Sequence, residues 1–296
     1  LVSGCAVGPN FMRPWVNTPD NFRSAPTSAD PASLADLPWW RVFHDERLQN
    51  LIQLALANNH DLRIAVSRVE QARQISLQAR SQFFPQVNYD GGIGTGKNAL
   101  FGAIAPNSGQ TKDSAFIDLS VFWEVDLWGR IRRLNEAARA QFLATEEARR
   151  GVTISLVSGV AQAYFELLQL DLQLEIAQRN TQSFAETLRI FSLRREQGIA
   201  SKLETASAEA LLTSTAANIP ELERQIVLKE NQLNVLLGRN PAPVERTAGL
   251  LDERLPVEVP AGLPSTLLER RPDIRQPEES LRAANAQVGA AVANFF

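Results

Sequence analysis

Chemistry-bearing residues are scarce in these 296 residues, which include one Cys (Cys5), two His (His44 and His60), one Met and two Tyr. So few nitrogen and sulfur donors leave no cluster of soft metal ligands, and no spacing supports a Cys–His nucleophilic pair. No convergent acid, base and nucleophile set takes their place, so the sequence predicts no enzyme activity, no metal and no cofactor. An excess of one charge is lacking too. Lys plus Arg number 30 against 33 Asp plus Glu, a formal net charge of −3 with both signs interspersed. That mixture reads as a solvated surface and argues against a nucleic-acid or anionic-membrane footprint. Long apolar runs are missing as well: the longest uncharged, apolar-leaning stretch, Gly151 to Phe165, has 15 residues and contains Thr153, Ser155, Ser158 and Gln162. It is too short and too polar for a membrane-spanning helix, so a bilayer crossing would need strands.

What is present is helical periodicity on a large scale. From about Leu127 to Gln197 there is no proline, and Leu156, Val160, Ala163, Leu167, Leu170, Leu174, Ala177, Thr181, Phe184, Leu188 and Phe191 fall at alternating steps of four and three. That is a coiled-coil seam. A helix of some seventy residues is roughly 105 Å long, and such a rod needs partner helices to bury its seam. Gly198 then suits a helix end, and Ser201 with Glu204 three residues on suits a capping box. The returning pattern, Leu212, Thr215, Ile219, Leu222, Ile226, Lys229, Leu233 and Leu236, predicts an antiparallel second helix to about Leu237, kinked locally at Pro220.

Strand signals precede the long helix. In Ala115 to Asp126, Ile117, Leu119, Val121, Trp123 and Val125 alternate with Phe116, Asp118, Ser120, Phe122 and Glu124, and Val87, Tyr89 and Ile93 alternate with Gln86, Asn88, Asp90 and Gly92. Together they read as a hairpin with a long Gly/Asn/Ser-rich loop, its strands of transmembrane length. The alternation alone fits a half-buried hairpin on a soluble sheet equally well.

The remaining segments set the organisation. Small residues in Leu1-Val2-Ser3-Gly4 before Cys5 read either as the end of a bacterial lipoprotein signal, with Cys5 acylated, or as a free surface Cys near a frayed terminus. Residues 5–44 predict an extended arm, rich in Pro, Ser, Asn and Asp. Helices follow over 45–84, broken near Asn58-Asn59-His60, with His60 a loop or cap residue rather than a ligand and Pro85 as the stop. The hairpin spans 86–126 and the long helices 127–197 and 201–237, which completes a first repeat over 45–237. A proline-rich connector occupies 238–264. At an offset of 212, His60 to Phe84 aligns without a gap onto Pro272 to Phe296, matching Asp61/Asp273, Arg63/Arg275, Ala72/Ala284, Ala79/Ala291 and both closing phenylalanines. Residues 265–296 therefore read as the start of a second repeat, truncated where the first repeat enters its hairpin.

Three motifs carry a family resemblance: Gly4-Cys5-Ala6-Val7-Gly8-Pro9-Asn10-Phe11 with Arg13-Pro14, Phe122-Trp123-Glu124-Val125-Asp126-Leu127-Trp128-Gly129-Arg130, and Gly262-Leu263-Pro264-Ser265 through Arg270-Arg271-Pro272-Asp273-Ile274-Arg275. Their order over the whole chain resembles the NodT-type, TolC-like outer-membrane efflux lipoproteins. The resemblance implies a mainly α fold with a membrane β-hairpin, in which long antiparallel coiled-coil helices build a periplasmic α-barrel. It also implies that strands from three copies build one outer-membrane β-barrel, since one hairpin per repeat is too few to close a barrel alone. It implies passive conduction of small molecules in a tripartite efflux system, with a periplasmic adaptor (membrane fusion protein) and an inner-membrane pump as partners. Cys5 would carry the lipid, palmitate included. Ile117, Leu119, Val121, Trp123 and Val125 would face outer-membrane lipid, and Asp118, Ser120 and Glu124 the lumen. The family's adaptor-contact tip matches here as Arg194, Gly198, Ser201 and Glu204, with Ile199 in the turn; Glu204 replaces the commoner Asp, and Arg195 stands where an aromatic is usual. The family's gate residues would fall in the second repeat. A periplasmic coiled-coil adaptor or structural lipoprotein is the alternative that shares the helices and the Cys.

Overall fold

A computed structural model describes residues 6–19, 45–96, 112–246, 249–252 and 268–296. Cys5, the arm over residues 20–44, the hairpin loop over 97–111 and about half of the connector lie outside the described residues. The described chain contains helices α1 (Glu46–Asn58), α2 (His60–Ser81), α3 (Arg130–Glu196), α4 (Lys202–Ala216), α5 (Ile219–Leu236) and α6 (Pro272–Ala293), with strands β1 (Gln86–Gly96) and β2 (Lys112–Phe122). They fall into two compact units. One holds the arm to Trp15, Val69–Glu146 and Gln276–Phe296; the other holds Val16–Arg68 and Glu147–Arg275. α2, α3 and α6 run through both.

The second unit owns the main hydrophobic core. Leu48, Leu51, Ile52 and Ala55 of α1 meet Leu156, Val160, Ala163, Tyr164, Leu167 and Leu168 of α3, together with Leu233 of α5, Leu237 and Val244. Each fully buried large side chain contributes about 1.5–3 kcal/mol relative to exposure. Asp45 organises one end of this core. Its Oδ1 accepts from the backbone N–H groups of Arg47 (2.6 Å) and Leu48 (3.2 Å), capping α1, while Oδ2 accepts from the Tyr164 hydroxyl at 2.6 Å. At the other end Asn59, not His60, is the cap. Its Oδ1 accepts from Leu62 N–H at 2.9 Å and its Nδ2 donates to Leu236 O at 3.0 Å. Gly238 has φ +65°, and a Cβ there would lie 2.4 Å from Asn58 O, so the chain turns where only glycine fits. The Arg246 guanidinium closes the edge by pairing with Asp171 of α3 (2.8 Å) and Glu230 of α5 (2.7 Å).

α3 has 67 residues and begins three residues later than the periodicity suggests. One 18-residue window of it reaches a mean hydropathy of 1.3, which by length and composition alone would suffice to cross a membrane, a test that a buried core helix passes equally. The apolar side chains from Leu156 to Leu168 are instead in the core with α1 and α5. Further along, from Leu170 to Phe191, the seam residues are half-buried.

The returning segment is two helices rather than one kinked helix. α4 stops at Ala216, and α5 starts at Ile219 with Pro220 in its first turn. Proline carries no N–H for the carbonyl four residues back, so the chain breaks over Ala217–Asn218, where Asn218 N–H reaches back to Thr215 O at 3.2 Å.

Candidate functional site

The first candidate is the hairpin. β1 and β2 are antiparallel, each 11 residues, and the register pairs Val87 with Val121, Tyr89 with Leu119, Gly91 with Ile117 and Ile93 with Ala115. Directly paired residues share a face. One face is therefore apolar, and it is open: Ile117 is 90% exposed and Leu119 69% exposed, with Val87, Tyr89, Ile93 and Val121 exposed beside them. The opposite face pairs Asn88 with Ser120 and Asp90 with Asp118, with Phe116 lying across Gly92. An isolated two-stranded ribbon with such a face is marginal in water.

The strand ends at Phe122, so Trp123, Glu124 and Val125, expected on it, lie beyond its end. They serve the start of α3 instead. The Glu124 carboxylate accepts both Nε (2.7 Å) and a terminal nitrogen (2.5 Å) of Arg130, a paired hydrogen bond that pulls the Glu124 pKa below its usual value. Asp126 accepts from the backbone N–H groups of Ile131 (3.1 Å) and Arg132 (3.0 Å). Those are orphan donors of the helix terminus, where a carboxylate is favoured. Trp123 donates its indole N–H to Phe83 O at 3.2 Å, and Gly129 takes φ +84°. The acidic pattern of this motif is thus a strand-to-helix junction.

The second candidate is the turn between α3 and α4. Gly198 has φ +74°, Ile199 N–H donates to Arg194 O at 2.8 Å, and Ala200 N–H reaches the same carbonyl at 3.2 Å. Gly198 N–H donates to Arg195 O at 2.9 Å, so the turn satisfies the otherwise orphaned carbonyls of Arg194 and Arg195. Ser201 then caps α4: its Oγ accepts from Glu204 N–H at 3.2 Å, and Ser201 N–H donates to Glu204 Oε2 at 2.6 Å. The Ser201 backbone bond, then its hydroxyl bond, hold the Glu204 carboxyl below its usual pKa, with the Arg194 charge adding to both. Ile199 and Leu203 stand out at 76% exposure each on an otherwise polar turn. The sequence pattern singled out Ile199 but not Leu203, which one would find by asking which apolar residue the cap leaves off the α4 seam.

A third cluster was missed entirely. Arg133 of α3 is 4% exposed and donates to Val7 O, Gly8 O and the Asn10 side chain of the arm. Among the described residues no group of three or more His, Cys, Asp or Glu could hold a metal ion. The lipidation candidate Cys5 lies outside the described residues.

Residues 51–239 match the family model described as outer membrane efflux protein. The chain belongs to the outer membrane efflux protein family. It is 33% identical to the toluene efflux pump outer membrane protein TtgC of Pseudomonas putida, an alignment covering all of this chain and 62% of that protein. It is also 33% identical to the cation efflux system protein CusC of Escherichia coli K12, over all of this chain and 64% of CusC. The chain thus spans a little under two thirds of the length of these relatives. Solved channels share its fold: OprN at TM-score 0.84 and 31% identity, and the open state of Neisseria gonorrhoeae MtrE at 0.81 and 33%. Each alignment covers 99% of this chain, with 65% of OprN and 64% of MtrE. A TolC-like outer-membrane channel fold, mainly α with a short β-hairpin, follows.

Proposed function

We propose that this chain forms the first repeat, and the opening of the second, of a homotrimeric outer-membrane duct. Through it a periplasmic adaptor and an inner-membrane pump would expel small molecules. The observation that carries the reading is the hairpin: two 11-residue strands whose shared apolar face is exposed throughout, at the length needed to cross a bilayer. In that reading Ile117, Leu119 and Val121, with Val87, Tyr89 and Ile93, face lipid. Asn88, Asp90, Asp118 and Ser120 face the lumen, where the opposed Asp90 and Asp118 favour passage of cations.

The duct performs no chemistry; the pump does the selecting. The names of the relatives support this, since proteins at the same 33% identity are named for toluene in one case and cations in another. The turn Arg194, Gly198, Ile199, Ser201 and Glu204 is the adaptor contact: a rigid capped loop offering exposed Ile199 and Leu203 for burial beside the charges of Arg194 and Glu204. Cys5 is the acylated anchor.

The test is fractionation of envelopes carrying the full-length protein, with palmitate labelling of wild type and Cys5→Ala and electrophoresis before and after heating. A Cys5-dependent label and a heat-dissociable trimer in the outer membrane are expected. A monomer in the inner membrane or soluble periplasm would overturn the duct.

A further inference from the structure

We propose that Arg133 is a positioning residue, clamping the N-terminal arm between α3 and α6 and so setting where an acyl group on Cys5 is tethered relative to the base of the hairpin. The tether rests on the lipid-anchored reading above; the clamp rests on geometry within one compact unit. Arg133 donates Nε to Val7 O at 3.1 Å and one terminal nitrogen to both Gly8 O (3.1 Å) and Asn10 Oδ1 (2.8 Å). Its other terminal nitrogen pairs with Glu136 at 2.8 Å, so the whole fork is used.

Two glycines make room for it. A Cβ on Gly289 of α6 would lie 2.8 Å from Arg133 Nε, and a Cβ on Gly8, at φ +89°, would lie 2.4 Å from Gly289 Cα. Arm backbone, helix backbone and guanidinium are therefore in mutual contact. At the offset that aligns the two repeats Gly289 corresponds to Leu77, a side chain with no place in such a stack. The sequence difference between repeats gives the arm one seat.

α6 grips the same stretch further along. Asn285 donates to Pro9 O at 2.9 Å, the Arg282 guanidinium lies 4.9 Å from the centre of the Phe11 ring, and Glu278 pairs with Arg13 at 3.1 Å. At its near end the arm reaches the junction below β2: Val7 N–H donates to Trp128 O at 3.1 Å, and a Cβ on Gly129 would lie 2.7 Å from Ala6 Cα. Cys5 is the next residue in the chain. The clamp thus ties the arm, as far as Ala6, to the junction where β2 gives way to α3, and engages α6 to do so.

The experiment uses the full-length protein in outer-membrane preparations, with Arg133→Gln, Arg133→Lys and Gly8→Val compared with wild type. Chymotryptic cleavage after Phe11 reports release of the arm, tryptic cleavage after Arg195 reports integrity of the helical tip, and palmitate labelling reports acylation. Arg133→Gln and Gly8→Val are expected to speed cleavage after Phe11 by about tenfold or more, since cleavage follows the population of the opened arm. The palmitate label and the tip cleavage stay at wild-type levels, and Arg133→Lys, which keeps the charge but loses the fork, falls between. Wild-type arm cleavage in both Arg133→Gln and Gly8→Val, or loss of the label in them, overturns the proposal. A wild-type protein without a Cys5-dependent label overturns the tether and the lipid-anchored reading together, and the cleavage rates then report the clamp alone.

Discussion

Replacing Gly198 by other residues separates backbone conformation from bulk at the helix tip. Its φ of +74° places it in the left-handed region, while a Cβ built on it meets nothing within 4 Å. Space inside the chain is therefore no obstacle, and the cost of a side chain is conformational. For an L-residue that cost is about 1–2 kcal/mol, less for Asn, and a β-branched residue is worst placed of all. A loss of that size lowers the population of the closed turn by a factor of roughly 5–30. Opening it frees the Ile199 and Ala200 N–H groups from Arg194 O and releases the exposed Ile199 from its fixed position in the turn. Dye efflux, from cells in which the variant is the outer-membrane component available to the pump, should fall in the order Gly, Asn, Ala, Val. Trimer and palmitate label should be unchanged throughout. If Asn proves as damaging as Val, bulk against a partner decides and the conformational reasoning fails; if Val exports normally, the turn is not the adaptor contact.

The remaining predictions concern the capping box and the hairpin faces. The Glu204 carboxyl, held below its ordinary pKa of 4.5, contributes stability that is present above 4.5 and is lost as pH falls through its lowered folded value. Hydrogen-exchange protection of the Ser201 amide should therefore drop as pH is lowered below 4.5, and Glu204→Gln should flatten that dependence; an equal drop in both would refute the assignment. On the hairpin, Leu119→Arg puts a charge on the exposed apolar face and should cost about 2–4 kcal/mol near a bilayer midplane, abolishing the outer-membrane trimer. Ser120→Arg, one residue along on the other face, should leave the trimer assembled. The opposite pattern would invert the proposed lipid and lumen faces.

Periodic features were legible in the sequence because they are local. A seam stepping by three and four residues makes a helix wherever it finds partners, and the Ser201/Glu204 spacing makes a cap from residues three apart. The start and stop of elements were less legible. Alternation runs on through Trp123 and Val125, yet β2 ends at Phe122, because Glu124 and Asp126 gain more from Arg130 and the α3 amides than from a ladder. Pro220 was visible, but whether it kinks or divides a helix depends on whether the carbonyls around Ala217 find other donors.

The chain by itself determined its helical rod, its amphipathic strands and the capped tip, since each is written in spacings of two to four residues. Only the tertiary structure decided that Tyr164 holds the α1 cap and that Arg133 holds the arm, and it alone seated Gly8 against Gly289. Those partners lie more than a hundred residues apart, and no local pattern records which distant backbone a buried guanidinium or hydroxyl will satisfy.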